Sequence, residues 1–318
     1  MSPFPIHFAI DLEPDERLPD AVNKSYDSAG IALTRMAALR KRLEDATGMS
    51  AQFGWYVRMD RHIAGVYGDP GAIALRYKDQ LDAASEAGDV VGLHTHCFEP
   101  LGNGRWRANY ADQLLVTEIV DEGFDNFERV FQAPCEVARM GDMWTNENCM
   151  RQFAARGVRY DVSLESGLRP KHMSAHYPGT DSKGCRPSML GAPFAPFQPF
   201  GSDENSMWAL PLASSPRRDC LNPRMWLVSA YSSVTTGLRR SRARMMLRPQ
   251  QTYAPGALRA AIDAALTEGK QPGFCVPIRN FGAAEAIENF LDVLCDVARE
   301  RPIKFCTPAD YVRLAQKL

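Results

Sequence analysis

The chain has 318 residues, 45% of them hydrophobic and 24% charged, with a formal net charge of -1 at pH 7. That composition suits a globular protein able to bury a sizeable core. It offers no electrostatic case for nucleic acid or an anionic membrane, and no apolar run approaches the ~18 residues of a membrane span.

In chain order, short apolar runs alternate with amphipathic stretches. Residues 6–10 read as a first strand and lead straight into Asp11-Leu12-Glu13-Pro14. This start lacks the basic segment, apolar segment and cleavage site of a secretory signal. Ala32, Met36, Leu39 and Leu43 fall at helical spacing, and Gly48 follows as a stop. Residues 52–57 read as a second strand, about 72–87 as a helix ending at Gly88, and 89–93 as a third strand running into His94. Val120, Phe124, Phe127 and Phe131 stripe the next helix. A short strand at 136–139, a helix at 146–156 closed by Gly157 and a strand at 158–161 come next.

From about 165 to 254 the chain is rich in Pro, Gly and Ser, with 208–212 the only clear strand candidate, which predicts a loop-rich insertion. A basic run at 238–248 inside it reads as a solvated face. Regularity returns with a helix near 255–266, a strand at 274–278, a helix striped by Ile287, Phe290, Leu294 and Val297, and a strand at 303–306. Thr307 then serves as N-cap, with Pro308 at the first helical position and Asp310 in the first turn. The eight cysteines are scattered without a CxxC pair. They predict reduced thiols and, with the absent signal, a cytoplasmic location.

This alternation predicts a parallel sheet in one α/β domain over 1–318, a distorted (β/α) barrel of about seven strands. An open doubly wound sheet is the alternative, although no GxGxxG follows the first strand. In barrels the chemistry sits at the C-terminal strand ends. Asp11 and Glu13, two residues apart, share one face of the first strand. Two carboxylates aimed into one space call for a cation or a shared proton; solvated acids in a polar loop are the competing reading. His94 and His96 share a face at the end of the third strand, and imidazole is the commonest zinc ligand. The chain holds only six histidines, so a pair here carries weight. Together these ends offer a His₂-carboxylate site for one divalent ion, most simply zinc, with the remaining carboxylate as general base. Arg58 and Asp60 after the second strand, Arg139 with Gly141, Asp142 and Trp144 after the fourth, and Arg279 with Asn280 after the seventh are weaker candidates. Arg139 either pairs with a catalytic carboxylate or binds substrate. Arg58, Asp60, Trp144 and Asn280 are read as substrate-binding.

The stretches Ala9-Ile10-Asp11-Leu12-Glu13, Val91-Gly92-Leu93-His94-Thr95-His96, Ala138-Arg139-Met140-Gly141-Asp142-Met143-Trp144 and Gly157-Val158-Arg159-Tyr160-Asp161-Val162-Ser163 resemble, in order and spacing, the polysaccharide deacetylase superfamily. This is also called the NodB homology domain or carbohydrate esterase family four. The resemblance runs from residue 6 to about 165, with a weaker match over 272–312. It implies a distorted barrel and a metal-dependent hydrolase that deacetylates N-acetylated sugars or cleaves other non-peptide C–N bonds. It suggests Asp11 as base and Glu13 as ligand, with the opposite assignment open. His94 matches the first metal histidine, and Arg139 the arginine that contacts the base. Two departures stand out. The family's second metal histidine lies four residues after the first, where this chain has Phe98, so His96 must substitute. The late histidine that serves as general acid is not evident, its region being occupied by Arg279 and Asn280; His172 or His176 could replace it. The expected partner is a small-molecule or glycan substrate. The alternatives are an amidohydrolase-like metallohydrolase and a non-catalytic glycan-binding or regulatory relative.

Overall fold

The structure is a computed structural model that describes residues 2–189, 191–201, 206–215, 245–246, 249, 256, 258–260, 262–263, 272–279 and 284–317. Strand β1 (Phe4–Leu12) is the hub. All of its residues but the first are buried, as expected of a parallel strand covered on both faces. After α1 (Asp27–Thr47), which Gly48 closes in the left-handed conformation (φ 68°), come β2 (Gly54–Arg58), α2 (Arg61–Tyr67), α3 (Ala72–Arg76), α4 (Lys78–Glu86) and β3 (Val90–Thr95). A hairpin of β4 (Phe98–Gly102) and β5 (Arg105–Ala108) leads to α5 (Gln113–Phe131), β6 (Val137–Met140), α6 (Glu147–Ala155) and β7 (Tyr160–Asp161). Between 165 and 254 the described residues include β8 (Lys171–His172), α7 (Met173–His176), β9 (Cys185–Arg186), β10 (Trp208–Ala209), β11 (Ser214–Ser215) and β12 (Met245–Met246). The chain ends with β13 (Phe274–Arg279), α8 (Ala284–Glu300), β14 (Ile303–Phe305) and α9 (Pro308–Ala315), and Thr307 caps α9 as predicted.

The main sheet runs β10-β7-β6-β3-β2-β1-β13, every neighbouring pair parallel, with β14 also on β1. Ile6 faces both Phe274 and Phe305, so β13 and β14 flank β1, and β2 takes over β14's edge from Ala9 onward. The sheet curls on itself. Just past β10, Leu212 bridges Cys275 in β13, and Ala213 donates its N–H to the Cys275 carbonyl at 2.7 Å. The expected distorted barrel is thus present.

Alternation along β1 sorts its side chains into two layers. Ile6, Phe8, Ile10 and Leu12 join the outer core beneath the helices, with Leu33, Met36 and Leu43 of α1. Ala9 faces inward with Tyr56, Val137, Leu210, Leu212 and Cys275, and α9 adds Tyr311 and Val312 to this inner cluster. His7 shares the inner face. Its ring bonds the Tyr56 hydroxyl (3.0 Å) and the Cys306 carbonyl (2.9 Å).

Three local readings are corrected. β1 and β3 run further than the apolar pattern predicted, so Asp11 and His94 lie inside them, whereas β7, β10 and β14 are shorter than the strands predicted at 158–161, 208–212 and 303–306. The helix predicted over 72–87 breaks at Tyr77, whose buried ring packs against α1 where Gly30 leaves room. The β4–β5 hairpin was not predicted. It turns on Asn103 and Gly104, both at positive φ (52° and 70°), the conformation a tight two-residue hairpin loop demands. The predicted helix near 255–266 is helical at 258–260 and 262–263. Most of the basic run at 238–248 lies outside the described residues.

Candidate metal centre

The inner face of β1 continues past Ala9 to Asp11 and Glu13. Sheet register places Tyr56 and Arg279 beside Asp11, and Arg58 and Arg139 on either side of His94. Asp11, Glu13, Arg58, Asp60, His94, His96 and Arg139 are therefore gathered at one end of the barrel, and all are buried.

Glu13, His94 and His96 form a group whose ligand atoms all lie within 4.8 Å of one another. The two Nε2 atoms are 3.0 Å apart, and Glu13 Oε2 is 3.5 Å from that of His96 and 3.9 Å from that of His94. The opposite ring atoms explain why this matters. His94 Nδ1 is 3.1 Å from the Arg139 carbonyl, which can only accept, so Nδ1 carries the hydrogen. His96 Nδ1 faces a carboxylate oxygen of Asp142 at 3.3 Å, which assigns its hydrogen the same way. Both Nε2 lone pairs then converge on Glu13 Oε2, itself buried without a hydrogen-bond partner. Three electron-rich atoms in one buried space call for a positive charge between them.

Burial and Arg58 oppose protonation of His96, yet Asp142 and Glu13 outweigh them and raise its pKa. Burial lowers His94 to about 4. Burial would push the Glu13 carboxyl up, but Arg279 and the two imidazoles hold it well below the usual carboxylate range. The His₂-carboxylate donor set itself fits a divalent ion such as zinc.

The surrounding charges are paired. Arg139 donates from Nε to Asp11 Oδ1 (2.7 Å) and from Nη1 to the Val162 carbonyl (2.9 Å). Arg279 pairs with Glu13 Oε1. Arg58 donates to Asp60 Oδ2 at 2.7 Å, and its Nη1 lies 3.8 Å from Glu13 Oε2. Asp60 caps α2 through Oδ1, accepting from the N–H groups of His62 and Ile63, while Oδ2 also accepts the His96 N–H (3.1 Å).

The residues read as substrate-binding fare unevenly. Arg58 and Asp60 are 0% exposed and paired with each other, Arg58 also lying near Glu13 and Asp60 also capping α2. Trp144 is 2% exposed and packs on Tyr110, with ring centroids 4.8 Å apart. Asn280 lies outside the described residues. His172 is exposed and caps α7. His176 reaches Asp142 instead of the metal-binding group.

Asp142 is the residue whose place the sequence left open. Its carboxylate accepts from the Tyr110 hydroxyl (2.7 Å), the Tyr177 hydroxyl (2.5 Å), His96 Nδ1 and His176 Nε2 (3.2 Å). It sits at φ 58° on a single 3-10 turn over 141–143, and Met143 beside it is also left-handed at φ 54°. Gly141 is required by close approach, since a Cβ there would stand 2.3 Å from His96 Cε1.

No family model matches the chain, and no curated protein matches it either. Solved structures do. One described as a glycoside hydrolase/deacetylase from Parabacteroides distasonis is 14% identical, with a TM-score of 0.54 over 99% of this chain and 71% of that one. One described as a polysaccharide deacetylase from Mycobacterium smegmatis is 15% identical (TM-score 0.48; 100% and 93% covered). The peptidoglycan deacetylase PdaC of Bacillus subtilis is 8% identical (TM-score 0.42; 99% and 93%). At 14% identity the Parabacteroides structure speaks for the fold alone: the chain shares its curled barrel of parallel strands and helices.

Proposed function

We propose that the protein is a metal-dependent hydrolase of non-peptide C–N bonds that removes acetyl groups from an N-acetylated sugar or glycan precursor. One observation carries this reading: Glu13 Oε2, buried without a hydrogen bond, and the Nε2 atoms of His94 and His96 converge beside a second carboxylate, Asp11, that is clamped by Arg139. Glu13, His94 and His96 would hold the ion, with zinc the simplest occupant. A divalent cation there supplies Lewis acidity, acidifying a water and polarising the acyl carbonyl.

The chain's own groups do the rest. Arg139 fixes the Asp11 carboxylate in place. Asp11 takes the proton of the attacking water, the role of a positioned general base. Arg279 stands where the family's late histidine is expected and pairs with Glu13. The protonated Asp11 carboxyl can then hand its proton to the leaving nitrogen, so one group serves both steps.

That same Arg279 favours the second reading. With Arg58 nearby, it puts two guanidinium groups around the ligand carboxylate, which lowers the site's attraction for a cation and suits a non-catalytic glycan-binding relative. The test is acetate release from N-acetylglucosamine and its short oligomers by the zinc-loaded protein, beside His94→Ala. Turnover lost in the variant supports the hydrolase. Saturable sugar binding with no acetate from either protein supports the binding relative.

A further inference from the structure

We infer that Asp142 is a positioning residue that orients His96 for the metal, and that the segment around α7 holds Asp142 in turn. The inference rests on the proposed metal site. A histidine that binds a metal through one nitrogen needs a partner on the other to fix its ring and raise its basicity, and a carboxylate does this best. Asp142 Oδ2 occupies that position, 3.3 Å from His96 Nδ1.

Three features show that the carboxylate is placed and not merely nearby. First, its backbone stays in the left-handed region, which costs free energy for any residue with a Cβ and persists only where the surroundings enforce it. Secondly, Gly141 removes the one atom that would push the His96 ring away. Thirdly, donors from distant parts of the chain saturate it. Tyr110, just after β5, bonds Oδ2, and Tyr177 and His176 bond Oδ1. Tyr177 packs edge-on against Phe98, which stacks on His96 at 5.5 Å between ring centroids. Part of the loop-rich stretch thus forms the outer wall of the metal-binding group.

The test uses the full chain stripped of metal. Zinc affinity is measured by competition with a chromogenic chelator, and the visible spectrum is recorded after cobalt loading. Asp142→Ala is expected to bind zinc about 10- to 100-fold more weakly than wild type, with a changed cobalt spectrum and an unchanged far-ultraviolet circular dichroism. Asp142→Asn, which keeps an acceptor without the charge, falls between. A folded Asp142→Ala that binds zinc as wild type does overturns the inference. If Asp142→Ala does not fold, the Tyr110→Phe/Tyr177→Phe pair decides: weaker zinc binding upholds the inference and unchanged binding overturns it. A wild-type protein that binds no zinc removes the metal reading itself, a failure visible in the wild type alone.

Discussion

The two halves of the site come from two kinds of chain. Glu13, His94 and Arg139 stand on or just past parallel strands, where alternation decides which side chains enter the barrel and register decides which meet. Asp142, Tyr110, His176 and Tyr177 stand on a 3-10 turn, a hairpin exit and a short helix, where no periodicity directs a side chain. The strand-borne half is set by local pattern plus sheet pairing. The turn-borne half exists only once the chain has closed over it.

The largest expected effect tests the strand-borne half. Asp11→Asn removes the proposed base and leaves the metal-binding group intact, so kcat for acetate release should fall by about 10²- to 10⁴-fold while bound zinc stays at wild-type stoichiometry. Loss of zinc together with activity would move Asp11 into the ligand set. Next comes the support beneath it. Asp60→Ala leaves the buried Arg58 without its partner and uncaps α2, and should cost about 3–5 kcal/mol in a denaturant titration.

The pH dependence is of comparable size to the Asp60 effect. Burial, aided by Arg58, lowers the His62 pKa from 6.5 to about 3. The unfolded chain therefore takes up this proton first as pH falls. The stability tied to neutral His62 is complete above pH 6.5 and is lost on the way down, by about 3 kcal/mol at pH 4.5 if each pKa unit is worth ~1.4 kcal/mol. Burial lowers His7 to about 4 and acts in the same direction, whereas burial raises Asp161 to about 6 and acts in the opposite one. Chemical denaturation at pH 7 and 4.5 should show a smaller pH-dependent loss in His62→Gln than in wild type; equal losses would mean the ring is not held neutral. The smallest effect belongs to the turn-borne half. Gly141→Ala should loosen zinc through its clash with His96, with a stability cost of about 1–3 kcal/mol in the same titration.

What the sequence makes legible follows the same division. The i, i+2 spacings of Asp11 with Glu13 and of His94 with His96 mark one face of each strand by alternation alone. Arg139 is legible as the residue ending a short strand, the family resemblance pairs it with the base, and in the structure its Nε donates to Asp11 Oδ1 at 2.7 Å. The contact of Arg279 with Glu13 depends on β13 lying beside β1, a pairing between segments more than 260 residues apart that no local pattern encodes. The β4–β5 hairpin carries a readable signal, Asn103-Gly104 between short strands, which strand-helix alternation overshadows. The sequence names Asp142 only as a weak candidate after the fourth strand, because its left-handed backbone and its contacts with Tyr110, Tyr177, His96 and His176 come from tertiary closure.

The most direct test of the central claim is the metal content of the purified wild-type protein after dialysis against zinc, beside Glu13→Ala, His94→Ala and His96→Ala. The account predicts about one equivalent of zinc in the wild type, as expected of a single His₂-carboxylate site, and loss of stoichiometric zinc in each variant with the fold retained. A wild type that binds no zinc, or three folded variants that bind it as well as wild type, would contradict the account.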